Sequence, residues 1–346
     1  MNGVYIEITD VCNLHCSFCP SGKRWAESQK KGPEHSASSA QRIFMPSDLF
    51  ERCLKEAAAV ADQVYFHVLG EPTLHPGFGL FLKKLEQVSA ARSDRKSLQL
   101  NLTTNGTTIA RCGKAILASP AVRQVNFSAH AYAELPFDEA AENLQNVLDF
   151  CRMAAAIRPD LYINLRLWNV GDESSNAWNN YMLEQVNIAF GRINASGENS
   201  VANQNHVVGE SHAPITLEHF CSRHKSFLVE GRIYIHQDSR FEWPDGSASS
   251  ATSTDVPNLK SLGSARPTSP KGTCRALDTH CAILHDGRVV ACCLDHSGQI
   301  TLGHIQENSL AEILSSPMAT EIREGFANHE LRHPFCQSCS FCKRFK

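Results

Sequence analysis

The chain alternates short apolar runs with longer stretches in which apolar residues recur every three or four positions. Short runs predict buried strands, and the helical spacing predicts amphipathic helices. The predicted strands cover 3–9, 63–69, 97–105, 124–130, 162–168 and 227–236. The predicted helices cover 47–61, 77–91, 109–119, 138–157 and 176–192. Ser47 or Asp48 is expected to cap the first of these helices.

Strands that alternate with helices indicate βαβ units around a parallel sheet, and six units predict an incomplete barrel rather than the closed eightfold one. The expected fold class is α/β, with a partial (β/α)6 TIM-like barrel over 1–240. Polar stretches at 21–41 and 193–215 predict long loops. A Ser-, Thr-, Gly- and Pro-rich stretch predicts a linker or surface excursion over 241–273. Residues 274–346 are expected to form a small cysteine-rich α+β domain.

The overall composition narrows the function classes. The chain has 346 residues, 42% of them hydrophobic, and a formal net charge of −3 at pH 7. This balance argues against a general nucleic-acid binder or a membrane-surface protein. No apolar run approaches the roughly 18 residues of a membrane span, and no signal-like segment opens the sequence. We therefore expect a cytoplasmic protein with no membrane partner.

Cysteine is the unusual feature of the composition, with 14 residues. In a chain of this length without a secretion signal, metal binding or redox use is favoured over disulfides. Three cysteines lie together near the N-terminus, and seven fall between Cys274 and Cys342. Cys53, Cys112 and Cys151 lie in predicted helices, where packing is the simplest role.

The first cysteine group, in "VCNLHCSFCP", has the spacing C-x3-C-x2-C directly after a predicted strand. Loops at the carboxyl ends of strands converge on one site in α/β folds. Three thiolates on such a loop can hold three irons of a four-iron cluster and leave the fourth iron open to a small chelating ligand. Zinc, or a chance spacing, is the alternative interpretation.

This motif, with an aromatic residue before its last cysteine, resembles the hallmark of the radical S-adenosylmethionine (radical SAM) superfamily. The resemblance implies that Cys12, Cys16 and Cys19 hold a [4Fe-4S] cluster and that Phe18 contacts adenine. The methionyl amine and carboxylate of S-adenosylmethionine (SAM) would bind the open iron. Reductive cleavage would then yield a 5′-deoxyadenosyl radical that abstracts hydrogen from the substrate.

Motifs at later strand ends strengthen the resemblance. The sequence "GEP", Gly70-Glu71-Pro72, resembles the motif that orients the methionyl amine. The remaining residues that the resemblance assigns to ribose, methionine or carboxylate contacts are Thr103, Asn105, Ser128 and Arg166. Each has an ordinary alternative, such as a turn for "TTNG" or a structural ion pair for the arginine. The candidate histidines near these strand ends are His67, His75 and His130, and a structural role is the alternative for each.

The C-terminal cysteines follow a different pattern. A hairpin is predicted to turn at 285–287, and a capped helix is predicted at 308–317. The region resembles the SPASM/twitch domain of many radical SAM enzymes, and the shorter twitch version, with one auxiliary [4Fe-4S] cluster, fits its spacing better. The expected ligands are Cys274, Cys292, Cys336 and Cys339. Cys342 can replace one of the last pair, Cys281 and Cys293 are alternatives or structural thiols, and a zinc ribbon is the rival.

The predicted function is radical SAM chemistry on a peptide or small polar metabolite, with the auxiliary cluster assisting oxidation or modification. The alternatives are SAM-dependent methyl or other group transfer, and a non-catalytic iron–sulfur electron carrier or scaffold. A flavodoxin or ferredoxin is the expected reductant. Trp243 and Asp245 lie near a possible site mouth, although a surface or interdomain contact is the simpler role for both.

Overall fold

A computed structural model of the chain describes residues 1–30, 44–92, 96–193, 213–220, 225–238, 242–244 and 270–345. The chain divides into two compact units. The first contains Met1–Gly70, Val88–Leu98 and Phe241–Lys346, and the second contains Glu71–Gln87 and Gln99–Arg240. Most of the predicted loop at 193–215, most of the linker at 241–273, Asp245 and Cys221 lie outside the described residues. The predicted boundaries at 240 and 273 stay a prediction.

The described strands and helices follow the predicted alternation. The strands are β1 (Gly3–Ile6), β2 (Gln63–Tyr65), β3 (Gln99–Thr104), β4 (Val122–Phe127), β5 (Tyr162–Leu167), β6 (Ser226–Glu230), β7 (Ile233–Gln237), β8 (His280–Ile283), β9 (Arg288–Val290) and β10 (Thr301–His304). The helices are α1 (Pro20–Lys30), α2 (Ser47–Val60), α3 (Phe78–Ala90), α4 (Ile109–Ala118), α5 (Phe137–Ile157), α6 (Asn176–Ala189), α7 (Leu310–Leu314), α8 (Pro317–Ala327) and α9 (Pro334–Ser338).

In the first unit the strand order is β10-β9-β8-β1-β2. β1 is parallel to both neighbours, and Val4 lies opposite Val64 of β2 and Cys281 of β8. Val4 and Ile6 are fully buried, whereas Tyr5 between them is half-buried on the other face, as the period of two in a strand requires. The strand before the cysteine loop is therefore held on both sides.

The second unit has the strand order β3-β4-β5-β7-β6. β3, β4, β5 and β7 run parallel, and β6 pairs antiparallel with β7. On one face, Leu102, Val125 and Ile163 are fully buried and form part of the core. On the opposite face, Asn126 of β4 lies beside Asn164 of β5. The sheet therefore separates an apolar layer from a polar surface.

These units confirm the predicted α/β class with an open, mostly parallel sheet. Within the described strands, β10 in the first unit and β6 in the second each have a hydrogen-bonded neighbour on one side only, so each unit ends on an open strand edge. The predicted hairpin in the C-terminal region is also confirmed, because β8 and β9 are antiparallel. Gly287 in its turn has φ of 96°, a conformation that suits glycine.

Three local predictions were wrong. The predicted strand at 227–236 is a hairpin of β6 and β7, because Gly231 adopts φ of 52° and reverses the chain. The start of the predicted loop at 21–41 is helical, since α1 begins at Pro20, and proline suits the first turn of a helix. Neither Ser47 nor Asp48 caps α2, whose N-cap is Pro46 without a side-chain hydrogen bond.

The buried packing cysteines are confirmed. Cys53 and Cys151 are fully buried on α2 and α5, and Cys112 is buried on α4. Burial raises the pKa of Cys53 to about 12, which keeps this thiol protonated at neutral pH. In the described part of the chain, no helix is both long and apolar enough to cross a membrane.

A buried carboxylate connects three segments of the first unit. Glu7, just after β1, is 1% exposed, and its Oε1 accepts a hydrogen bond from Leu69 N at 3.0 Å. Its Oε2 lies 2.8 Å from His285 Nδ1 and accepts from His285 N at 3.3 Å. The end of β1, the residue before Gly70 and the β8–β9 turn are thus held by one side chain.

Glu7 also sets the protonation of His285. Burial disfavours the charged imidazole, but the hydrogen bond and charge of Glu7, helped by Asp10 and Asp286, outweigh it and raise the pKa of His285. A group whose pKa is raised on folding adds stability that is complete below its unfolded pKa. That stability is lost as pH rises through the folded pKa.

We therefore expect His285→Gln to lower the free energy of unfolding more at about pH 6 than at about pH 9. At the lower pH the loss should be about 1.5–3 kcal/mol, the usual size for a hydrogen bond to a charged group. Denaturant unfolding of both proteins at the two pH values measures the difference. An equal loss at both pH values would contradict a charged pair.

Candidate active site

The first cysteine loop is shaped by its own backbone. Cys12, Cys16 and Cys19 are each half-buried. The Cys19 N–H donates to Cys16 O at 3.0 Å, which closes a turn between the second and third cysteines. The Leu14 N–H donates to Cys12 Sγ at 3.4 Å, a contact that favours a thiolate because it stabilises negative charge on sulfur.

Helix α1 packs directly against this loop. Lys23 N donates to Cys19 O, and Gly22 lies so close to the loop that an added Cβ would be 2.1 Å from Cys16 O. Trp25 of α1 stacks on His15, with ring centroids 4.2 Å apart and planes at 7°. Trp25 therefore contacts the loop between the first two cysteines.

The Gly70 backbone lies directly on the entrance to the cysteine loop. Gly70 has φ of 73°, and a Cβ there would be 2.3 Å from Thr9 O and 3.0 Å from the Cα of Asp10. Only glycine accommodates both the left-handed backbone and the contact. In the first unit, the beginning of the "GEP" motif and the beginning of the cysteine loop are therefore neighbours.

In the second unit, Glu71 organises the ends of two segments. It is 1% exposed, and its Oε1 accepts hydrogen bonds from Thr73 N at 3.0 Å and from the hydroxyls of Thr73 and Thr104 at 2.5 and 2.8 Å. Its Oε2 accepts from Asn105 N at 2.6 Å. Burial raises the pKa of Glu71, and these hydrogen bonds oppose that rise. The predicted contact of its side chain with the methionyl amine stays a prediction.

Asn105 and Thr103, the two predicted ligand contacts in "TTNG", differ in their hydrogen bonds within the protein. Asn105 Oδ1 accepts from Thr107 N at 3.0 Å and Thr107 Oγ1 at 2.8 Å, and Asn105 O accepts from the hydroxyl of Tyr132. Thr103 Oγ1 is buried and has no hydrogen-bond partner among the described residues. A buried hydroxyl of this kind calls for a partner, so Thr103 is the better candidate to meet a ligand.

Arg166, His130 and Trp168 lie together where β4 and β5 end. The Arg166 guanidinium lies 4.8 Å from the centroid of the Trp168 ring. His130 Nδ1 is 3.2 Å from Arg166 O, and its ring stacks on Trp168 at 5.8 Å. Ser128, the predicted contact at the end of β4, is half-buried, and its N–H donates to Thr104 O at 2.9 Å.

The other two candidate histidines have structural contacts. His75 Nδ1 accepts a hydrogen bond from Gly77 N at 2.9 Å, and its ring packs on Phe81. The His67 ring makes an edge contact with Tyr5 at 5.2 Å. These contacts support the structural interpretation of both residues.

The polar face of the second unit carries a row of amides. Asn126, which is 2% exposed, accepts from Gln124 Nε2 at 2.8 Å and from Asn164 Nδ2 at 2.9 Å. Its own Nδ2 donates to Leu102 O at 3.2 Å. The residue opposite Asn126 on β3 is Thr103, whose hydroxyl has no partner among the described residues.

The C-terminal cysteines form a second group. Burial raises the pKa of Cys336, and the thiolates of Cys274 and Cys339, the Asp295 carboxylate and the Cys342 thiolate raise it further. The same holds for Cys292, whose pKa is raised by burial and by Cys293, Cys336 and Cys274. The thiols that act on one another electrostatically are Cys274, Cys292, Cys293, Cys336, Cys339 and Cys342. All five predicted ligand positions are therefore within electrostatic range of at least one other thiol of this group.

The structure distinguishes Cys281 from Cys293, which the sequence left open as alternative ligands or structural thiols. Cys281 is fully buried on β8, and burial raises its pKa to about 12 with no other thiol acting on it, so it is a packing residue. Cys293 is within the thiol group, and Tyr5 donates to it. Asp295, which sequence reasoning missed, is 0% exposed and accepts from Gln299 N and Ile300 N, which shapes the loop after Cys292.

Trp243 contacts this C-terminal region. Its ring meets His296 edge-on at 5.7 Å, and the neighbouring Glu242 O accepts from Ser340 Oγ at 3.0 Å. These contacts support the simpler interdomain role over a position at an open site mouth.

The donor chemistry fits iron–sulfur centres. Within the described ranges, no disulfide links any cysteines, and no set of three or more His, Cys, Asp or Glu side chains is already gathered around one point for a metal ion. Thiols on short C-x2-C and C-x3-C spacings are nevertheless the donors that such clusters use. Two further observations agree with bound cofactors. The Leu14 N–H donates to Cys12 Sγ, and the buried Thr103 hydroxyl has no hydrogen-bond partner among the described residues.

The contact of Gly22 with the loop makes a direct test. In Gly22→Ala the new methyl would overlap the Cys16 carbonyl, so we expect reconstituted protein to bind less iron and to cleave SAM at least about tenfold more slowly. Gly79→Ala is the matched control, because a Cβ there meets nothing within 4 Å. Iron analysis and product chromatography measure both, and full iron with normal cleavage in Gly22→Ala would refute the predicted overlap.

Part of the chain is similar in sequence to a curated protein. A curated relative, a tungsten-containing aldehyde ferredoxin oxidoreductase cofactor-modifying protein from Pyrococcus furiosus, is 28% identical over 109 residues. That match covers 31% of this chain and 24% of the relative, about a quarter of its length.

Solved structures resemble nearly the whole chain. Native anSMEcpe with bound AdoMet is 17% identical, with 99% of this chain and 89% of that chain covered and a TM-score of 0.51. Native anSMEcpe with bound AdoMet and Kp18Cys peptide is 16% identical, with 99% and 88% covered and a TM-score of 0.50. At this level of identity the likeness shows the fold, and it agrees with a partial barrel followed by a C-terminal domain.

Two family models match the regions that hold the two cysteine groups. The Radical SAM superfamily model matches residues 6–168, and the model of the SPASM iron-sulfur cluster-binding domain matches residues 274–343. Residues 6–168 therefore form a radical SAM domain and residues 274–343 a SPASM domain, which together imply an enzyme with a [4Fe-4S] cluster, S-adenosylmethionine and an auxiliary iron–sulfur centre as cofactors.

Proposed function

We propose that the enzyme cleaves SAM reductively at a [4Fe-4S] cluster held by Cys12, Cys16 and Cys19. The observation that carries this proposal is three half-buried thiols on one loop, with no fourth cysteine in that loop. When bound, the cluster supplies one electron that splits SAM into methionine and a 5′-deoxyadenosyl radical, which takes a hydrogen atom from the substrate.

The chain's own residues would bind and orient SAM. Phe18, beside the last cysteine of the loop, would contact the adenine ring. The Gly70-Glu71-Pro72 segment would receive the methionyl amine, with Glu71 keeping the segment in place through its bonds to Thr73 and Asn105. Thr103, Asn105 and Ser128 would contact ribose or methionine, and the Thr103 hydroxyl is buried without a hydrogen-bond partner among the described residues.

Arg166 would bind the methionyl carboxylate. A guanidinium forms a planar two-bond pair with a carboxylate, and the Trp168 ring beneath it limits its rotation. His130 supports the same position from Arg166 O. These contacts would orient the amino-acid end of SAM.

The second cysteine group would hold the auxiliary [4Fe-4S] cluster. Cys274, Cys292, Cys336 and Cys339 are the proposed ligands, with Cys342 able to replace one of the last two. This group lies in the proposed auxiliary domain, 274–346. The proposed barrel occupies 1–240, and the connection between them occupies 241–273.

The substrate class that the polar face favours is a hydrogen-bonding one, a peptide or a small polar metabolite. The amides of Gln124, Asn126 and Asn164 give this face a polar rather than an apolar character. The peptide in one anSMEcpe structure supports the first class. A flavodoxin or ferredoxin would supply the electron.

Substitution of the two cysteine groups should separate their roles. Cys16→Ala should abolish 5′-deoxyadenosine formation from SAM with dithionite as reductant, because it removes a ligand of the SAM-binding cluster. Cys274→Ala should retain part of that activity and lose about half of the roughly eight irons per chain. Cys281→Ala should keep both activity and iron, because this thiol lies outside the group.

Anaerobic reconstitution, iron and sulfide analysis and liquid chromatography of the products measure these outcomes. Fully loaded wild-type protein that forms no 5′-deoxyadenosine would refute the proposal. S-adenosylhomocysteine as the main product would indicate methyl transfer instead, and four irons with one zinc would indicate a zinc-binding C-terminal domain.

A further inference from the structure

A cavity of about 440 Å³ opens beside the second cysteine group. It lies between the segment that precedes β8, the end of α8 and the last turn of the chain. The lining residues that matter here are Cys274, Arg275, Asp278, His329, Arg344 and Phe345. None of the SAM or SAM-cluster residues proposed above belongs to this cavity.

The charges around this cavity are mainly positive. Arg275, Lys343 and Arg344 are exposed, and Lys343 and Arg344 form the last turn of a short 3-10 helix, Phe341–Arg344. The acidic lining residue, Asp278, lies 3.8 Å from Arg323 Nε, so its charge is balanced by a further cation. The whole chain has a net charge of −3, so the basic surface contrasts with the average of the protein.

Arg344 is held in place at the edge of the cavity. Its guanidinium carbon lies 5.0 Å from the centroid of the Phe341 ring, and Phe341 in turn makes an edge contact with Phe345 at 5.6 Å. A guanidinium stacked on a ring loses less freedom when it binds a carboxylate. The basic surface is therefore partly preorganised to receive anionic groups.

The cavity also reaches a proposed ligand of the auxiliary cluster. Cys274, a proposed ligand of the auxiliary cluster, lines the cavity and is half-buried rather than enclosed. A protein that docks over the cavity would therefore lie against a cluster ligand. Close approach of a partner to this ligand is useful to a protein that exchanges electrons.

We propose that this basic cavity and its rim, formed by Arg275, Lys343 and Arg344, are the docking surface for an acidic one-electron carrier protein of the flavodoxin or ferredoxin class. The inference rests on the proposed function, because an auxiliary cluster that assists oxidation has to exchange electrons with a carrier. Carboxylates of the carrier would pair with Arg275 and Arg344, and the opposite charges would speed association.

The test measures binding of a purified acidic flavodoxin to the iron-loaded enzyme by biolayer interferometry under anaerobic conditions. We expect the dissociation constant to rise steeply between about 50 mM and about 300 mM NaCl, because salt screens exposed charges. The double variant Arg275→Glu/Arg344→Glu should bind at least about tenfold more weakly than wild type at the lower salt concentration.

Arg152→Glu/Arg123→Glu is the matched control, because it makes the same change in net charge within the second unit, on α5 and β4. It should bind flavodoxin within about twofold of wild type if docking is local rather than a response to total charge. Arg344→Glu alone is the second variant, in case Arg275, next to Cys274, proves necessary for cluster loading. Iron content is measured for every variant before binding.

The outcomes separate this inference from the proposed function. Loss of flavodoxin binding with unchanged dithionite-driven formation of 5′-deoxyadenosine supports the docking surface. Wild-type affinity in both the double and the single variant, equal loss in the control, or no binding to wild type would overturn it. Inorganic phosphate that binds the cavity while flavodoxin binding stays unchanged would show a small-anion site instead. Failure of dithionite-driven cleavage in wild type would count against the proposed function alone.

Discussion

The buried carboxylate of Glu7 is the interaction on which the first unit depends. Burying an ionised carboxylate is costly unless charged or hydrogen-bonding partners replace the lost water. Glu7 obtains those partners from Leu69 and from His285, which lie far apart in the chain. Removal of any partner would leave charge unpaired, so the three segments are held together where the cysteine loop begins.

A second buried carboxylate performs the corresponding task in the second unit. Glu71 accepts four hydrogen bonds from Thr73, Thr104 and Asn105, and these bonds set the loops after the "GEP" motif and after β3. In both units the acids organise backbone, and the groups left for ligands among the described residues include the loop thiols and the Thr103 hydroxyl. The chemistry thus depends on side chains that are positioned by others.

The order of strands and helices was predictable because each carries a local period of apolar residues. The cysteine groups and "GEP" were predictable because they are contiguous motifs. Glu7 and Gly22 were not, since their importance comes from residues brought near by folding, His285 and the Cys16 carbonyl. The hairpin at Gly231 was missed for a local reason, because apolar residues continue on both sides of its turn.

The contrast between the two cysteine groups follows the same logic. Sequence spacing grouped the C-terminal cysteines, but only the three-dimensional placement separated Cys281, alone on β8, from Cys293, which lies within the thiol group. In the proposed function, the three thiols of the N-terminal loop leave one iron of the cluster open for SAM. That difference is the basis for proposing SAM cleavage at the first group and a fully ligated cluster at the second.

Electron–nuclear double resonance of the reduced enzyme with ¹⁵N- and ¹⁷O-labelled SAM tests this assignment most directly. If Cys12, Cys16 and Cys19 leave one iron open, the amine nitrogen and a carboxylate oxygen of SAM should both show hyperfine coupling to the cluster. The couplings should be retained in Cys274→Ala. A fully reduced SAM-saturated cluster without either coupling would contradict the account.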